Sequence, residues 1–158
     1  VTDNYIGIMI ESLRRKKDVL TDILKLSEEQ SILLDDPNLE PDTFEKNVNR
    51  KAALIEKLEQ LDTGFESLYD KVKEELESNR DIHKEQIRQM QELIRALTEL
   101  NMQIQATEAR NKEKATAKFA YIRQQAKEIR SSQKIVKEYY NNMMHKAYNE
   151  PHFLDNKK

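Results

Sequence analysis

Three histidines, His83, His145 and His152, are the side chains best suited to proton transfer or metal ligation near neutral pH. Their spacing serves neither role. A di-iron site inside a helical bundle uses Glu-x-x-His on facing helices. Here the residues three positions before each histidine are Arg80, Asn142 and Asn149. A helical zinc site needs two ligands four residues apart, whereas His145 and His152 are seven apart. The chain has no Cys, which excludes disulfides, thiolate nucleophiles and thiolate metal sites. No serine stands in a recognisable triad setting, and two glycines in the whole chain cannot build a phosphate-cradling loop. The carboxylates are spaced as solvated faces and helical charge pairs. No catalytic, cofactor-binding or metal-binding residue is therefore expected, and the histidines read as exposed or rim residues.

What remains is surface for another protein. The stretch "KIVKEYYNNMMHKAY" (134–148) gathers three of the six tyrosines and two of the five methionines. Met is flexible and polarizable, and Tyr offers apolar area with a polar tip. Such a face can line a groove that receives a helix. The same helical spacing also suits the last turns of an intramolecular core, and both readings stand on the residues alone.

These side chains must be positioned by long helices. Charged residues are 35% and hydrophobic residues 37% of the 158, with two Gly, three Pro and no Trp. Abundant Glu, Lys, Arg, Gln, Leu and Ala with few turn residues is the composition of a thin helical bundle with narrow apolar seams. A first helix over about 3–34 carries Ile6, Met9, Leu13, Leu20 and Ile23, with Lys16 interrupting the seam. "LDDPNLEPD" (34–42) breaks it, since Pro37 and Pro41 both disfavour helix. Asp42, three residues before Glu45, has capping-box spacing. A second helix over about 42–78 follows, with the near-heptad seam Phe44, Val48, Lys51, Ile55, Leu58, Asp62, Phe65, Tyr69, Val72 and Leu76. Leu54, Leu61 and Leu68 widen that stripe enough for two neighbours. Gly64 lies within it.

"ESNRD" (77–81) reads as a turn, although an unbroken rod running past Ile104 is the alternative. The third helix, about 82–148, meets no Pro or Gly. Its seam is strong to Ile104, thins over 105–118 where Ala is the only apolar type, and returns at Phe119. The thin stretch is expected to be loosely packed. The fold expected is all-α: an elongated antiparallel helical bundle, or coiled-coil hairpin, of three main helices in a single domain.

Charge is unevenly spread. Residues 28–79 hold 15 acidic and 6 basic residues, and residues 110–138 hold 9 basic and 3 acidic ones. The second segment reads as a face complementary to the first rather than a nucleic-acid site, because the net charge is −2. No apolar run approaches the roughly 20 residues needed for membrane insertion. The opening "VTDNYIGIMIESLRRKK" lacks the basic-then-apolar order of a secretion signal. The absence of Cys suits a reducing cytoplasm.

"NYIGIMIESLRRKKDVLTDILKLSEEQ" resembles the opening helix of FlgN-like flagellar type III export chaperones of the clostridial type. "NRKAALIEKLEQLDTGFESLYDKVKEEL" resembles their second-helix pattern, a Lys-x-x-Leu-Ile segment followed by regularly spaced Leu and Glu. "IQATEARNKEKATAKFAYIRQQ" stands where the family runs through an Asn into leucines. Here Lys114, Ala115 and Thr116 follow Asn111, so no role is carried over to Asn111. The resemblance implies a cytoplasmic chaperone without enzymatic activity. It implies binding to hook-filament junction (hook-associated) proteins, through their amphipathic C-terminal helix, and delivery to the flagellar export apparatus. Family members bind largely through their C-terminal part. That assigns partner binding to an arm over about 115–148 and to Phe119, Ile122, Ile129, Val136, Tyr139, Tyr140, Met143 and Met144. The rival reading is a structural coiled-coil scaffold or self-associating spacer, and the same heptads also allow a homodimer.

Overall fold

A computed structural model describes the backbone of residues 2–120 and 123–148, and the side chains of residues 2–120 and 130–142. The described residues form four helices: α1 (Thr2–Asp35), α2 (Pro41–Ser78), α3 (Lys84–Lys118) and α4 (Arg123–Tyr148). Helix α1 packs along both α2 and α3, while α4 packs on α3 and touches α2. Paired side chains give the directions. Lys16 meets Asp62 and Gln30 meets Asn47, so α1 and α2 are antiparallel. Ser27 meets Glu108 and Lys114 meets Asp35, so α1 and α3 run parallel.

The proline-bearing turn forms where the sequence placed it, with one change of detail. Glu40 is the N-cap, with no side-chain cap bond, and Pro41 occupies the first turn. Proline is preorganised there and its missing N–H is one the helix start would leave unpaired anyway. Asp42 therefore lies inside the first turn rather than capping it. It still favours the positive end of the helix dipole.

The second turn rules out the continuous rod. Asn79 caps α2 through its backbone N–H to Glu75 O (2.9 Å), and the Ile82 N–H bonds Asn79 O (3.1 Å). His83 fixes this turn and is buried, not on the rim. Its Nε2 lies 3.0 Å from Glu75 Oε2, its Nδ1 lies 3.2 Å from Gln86 Oε1, and Asp3 Oδ1 is 3.8 Å away.

The expected third helix is two. Helix α3 ends at Lys118, Phe119 is its C-cap, and a turn follows at Phe119–Ala120. No glycine or proline marks the site, but Phe119 is drawn into a local apolar cluster with Leu34, Phe44 and Ala115. Its ring centroid is 6.0 Å from that of Phe44. The main cluster runs through Ile6, Met9, Leu20 and Ile23 of α1, Leu58 and Leu76 of α2, Met90 and Ile104 of α3, and Val136, Tyr139 and Tyr140 of α4.

The stretch 105–118 is polar rather than loose. Thr107, Glu108, Asn111 and Ala115 are all buried. They continue the same seam, since Met90, Leu97, Asn101, Ile104, Glu108, Asn111 and Ala115 follow steps of three, four and seven. The basic residues beyond them also meet the acidic end of α1: Lys114 Nζ is 3.0 Å from Asp35 Oδ2, and Lys118 Nζ donates to Asp36 O. Cations there complement the otherwise uncompensated carbonyl end of α1.

Candidate functional site

Where α1, α2 and α3 meet, a buried polar network replaces the apolar seam. Lys51 Nζ donates to Glu108 Oε1 (2.5 Å) and to Gln30 Oε1 (3.1 Å). Ser27 Oγ donates to the same Glu108 oxygen at 2.6 Å. Asn111 Nδ2 reaches Ser27 O (2.8 Å) and Gln30 Oε1 (3.1 Å), while Asn47 accepts from Gln30 and donates to Leu26 O. Burial pulls the Lys51 ammonium below its ordinary pKa, and the Glu108 carboxylate opposes that shift. The charges are thus compensated, and each helix contributes at least one partner. This ties the register of the three helices together, since a slip of one turn would strand a charge in the core.

Helix α4 lies against this network. Tyr139 donates its hydroxyl to Asp62 Oδ2 at 3.3 Å, and Asp62 also receives Lys16 from α1. The Tyr139 and Tyr140 rings meet edge-on at 5.6 Å. Burial is the main cause that raises both phenols above their ordinary range, so both remain protonated. Between α3 and α4 runs a groove of about 670 Å³. Glu108, Ala109, Lys112, Gln133, Lys137 and Tyr140 are among its lining residues.

The residues assigned to partner binding fall into separate settings. Val136, Tyr139 and Tyr140 come together in the main core, and Tyr140 also lines the groove. Phe119 belongs to the second cluster, near the turn between α3 and α4. Ile122 lies outside the described residues, as do the side chains of Ile129, Met143 and Met144. Two groove residues, Glu108 and Gln133, had no place in the sequence reading. The signal for Glu108 was its step of four from Ile104 on the α3 seam. A charged residue at a seam position, like Lys51 on α2, is read as an interruption until its partner is known.

Among the described residues no group of His, Cys, Asp or Glu could hold a metal ion, and no helix is long and apolar enough to cross a membrane. Comparison with characterised proteins and with solved structures finds no significant match. The FlgN protein family, by contrast, matches residues 6–145, which takes in all of α2 and α3 and most of α1 and α4. A bundle of four long helices, with a polar tie at its centre and a groove beside its last helix, thus carries a match over nearly its whole length, and the chain belongs to the FlgN family of flagellar export chaperones.

Proposed function

We propose that this chaperone binds hook-filament junction (hook-associated) proteins through their amphipathic C-terminal helix and delivers them to the flagellar export apparatus. The receiving surface is the α4 arm together with the face of α3 beside it. The supporting observation is the groove of about 670 Å³ between these two helices, with Tyr140 in its wall. Helix-in-groove recognition needs such a trough, bounded by side chains whose apolar area can be covered. Val136 and Tyr139 anchor α4 in the main core beside the trough. Ile129, Met143 and Met144 on the same arm, with Phe119 and Ile122 ahead of it in the chain, are the further residues assigned to the partner. The protein works by covering the partner's assembly helix and needs no bond-making chemistry. Its place of action is the cytoplasm, where subunits wait before export.

The test is titration calorimetry of the full chain against a purified hook-associated protein, with and without that protein's C-terminal helix. Saturable binding that disappears with the helix is the expected result. Binding that survives loss of the helix, or no binding to any hook-associated protein, would overturn the reading.

A further inference from the structure

The two walls of the α3–α4 groove differ in charge. On α4, Arg130, Lys134, Lys137 and Asn141 follow steps of four, three and four, which places them on one face of the helix. All four are exposed. Lys137 and Asn141 line the groove, so the stripe runs along its α4 edge, and its three cations span about 10 Å. Among the described residues Arg130 and Lys137 form no ion pair, and Lys134 has only Glu138 at 4.0 Å. The basic residues of α3 do not add a second stripe. Lys114 and Lys118 are engaged at the end of α1. Lys112 and Glu113 both line the groove and offset each other, and the rest of the exposed α3 wall is Ala109, Thr116 and Ala117. Glu108 also lines it, but that residue is 7% exposed and is neutralised by Lys51. One wall is thus cationic, and the other is neutral with small side chains.

A helix resting in this groove meets a row of cations along one of its edges only. Complementary charge across an interface fixes register and suppresses wrong partners. The complement is an amphipathic helix with carboxylates at i, i+3 or i+4, and i+7 beside its apolar stripe, a spacing that repeats that of Arg130, Lys134 and Lys137. Other anionic occupants fit less well. A nucleic acid or an anionic membrane calls for a basic protein surface overall, and the net charge here is −2. The acidic α2 of a second copy already spends its apolar stripe on the core, and none of the exposed large apolar residues lies on it. It has no apolar face left to lay in the groove.

We infer that the α3–α4 groove orients its partner by charge: Arg130, Lys134 and Lys137 pair with a row of carboxylates along one edge of the partner helix. The inference rests on the groove being the partner site, as proposed above.

The probe is a synthetic peptide of the C-terminal helix of a hook-associated protein, with three positions along one edge of its apolar stripe set to Glu, Gln or Lys. A second series changes the other edge in the same way. Each peptide is titrated into the full chain. On one edge only, Glu should bind about tenfold tighter than Lys, the combined worth of three exposed ion pairs. The difference should shrink at high salt. In the Arg130→Glu/Lys134→Glu/Lys137→Glu variant, shown to be helical by circular dichroism, the order should reverse. The wild-type series is decisive even if that variant does not fold. An equal preference on both edges, or none, would overturn the charge reading while leaving the partner site intact. A Glu preference that persists in the folded variant would overturn the residue assignment. Binding to phosphatidylglycerol vesicles, or a dimer in sedimentation, that the variant loses would overturn the partner helix in favour of a membrane or a second copy. Failure of every peptide to bind would overturn the partner site and this inference together.

Discussion

Lys51 on α2 and Glu108 on α3 form an ion pair of 2.5 Å in which neither side chain is more than 8% exposed. Their helices meet mainly through α1, so the pair joins the two flanking elements across the central one. Removing one member leaves the other charged in the core. Lys51→Met should cost about 3–5 kcal/mol. The double change Lys51→Met/Glu108→Leu should recover most of that loss, because no orphan charge remains. Urea denaturation of the two variants checks this, and equal losses would mean that the pair is solvated.

The turn between α2 and α3 should respond to pH. The Glu75 hydrogen bond is the first cause that raises the His83 pKa above its ordinary value of 6.5, with Gln86 and Asp3 adding to it and burial opposing. His83 is in turn the main cause that holds Glu75 below its ordinary 4.5. A raised histidine contributes stability that is full below 6.5 and lost as pH rises through its folded value. A lowered carboxylate contributes above 4.5 and loses this as pH falls. The stability difference between the wild type and His83→Gln should therefore be largest between pH 4.5 and 6.5 and shrink above that range. A pH-independent difference would show that no such pair forms in solution.

Removing residues from Gln133 onward should spare the α1–α2–α3 core and weaken substrate binding. The core retains Ile6, Leu20, Ile23, Leu58, Met90 and Ile104 and loses only Val136, Tyr139 and Tyr140 of its fully described members. Each lost side chain represents about 1.5–3 kcal/mol of burial. Circular dichroism should show a helical protein with a lower melting temperature, and calorimetry should show weakened binding. Undiminished binding would remove α4 from the site.

Amides of residues 105–118 should exchange with solvent about as slowly as those of residues 54–68. Their side chains are sparse in apolar atoms, but the buried bonds of Glu108 and Asn111 hold this part of α3 to α1. Hydrogen exchange on the free protein measures it. Markedly faster exchange over 105–118 would mean that the polar network opens locally.

Gly64 offers a stabilising change. A Cβ built there meets nothing within 4 Å, and the residue lies within α2. Gly64→Ala should stabilise the protein by about 1 kcal/mol through helix propensity alone. Thermal unfolding reports it, and a lowered melting temperature would point to a neighbour or partner at that surface.

The sequence by itself determined the helical class, the break at Pro37 and Pro41 and most of the α1 and α2 seams, and it left the turn after Leu76 open against a continuous rod. These follow from local causes: proline geometry, capping groups and a period that places apolar residues on one face. The clustering of Tyr139 and Tyr140 near the C-terminal end was equally plain. Only the tertiary structure decided where that cluster goes, because a helical stripe carries no information about which neighbour covers it. It also decided that α3 ends at Lys118, where packing of Phe119 on Phe44 joins residues 75 positions apart. The polar core was hidden for the same reason. Gln30, Ser27, Glu108 and Asn111 each look like surface residues alone and Lys51 like an interruption of the α2 seam, and only their convergence from three helices offsets the cost of burying them.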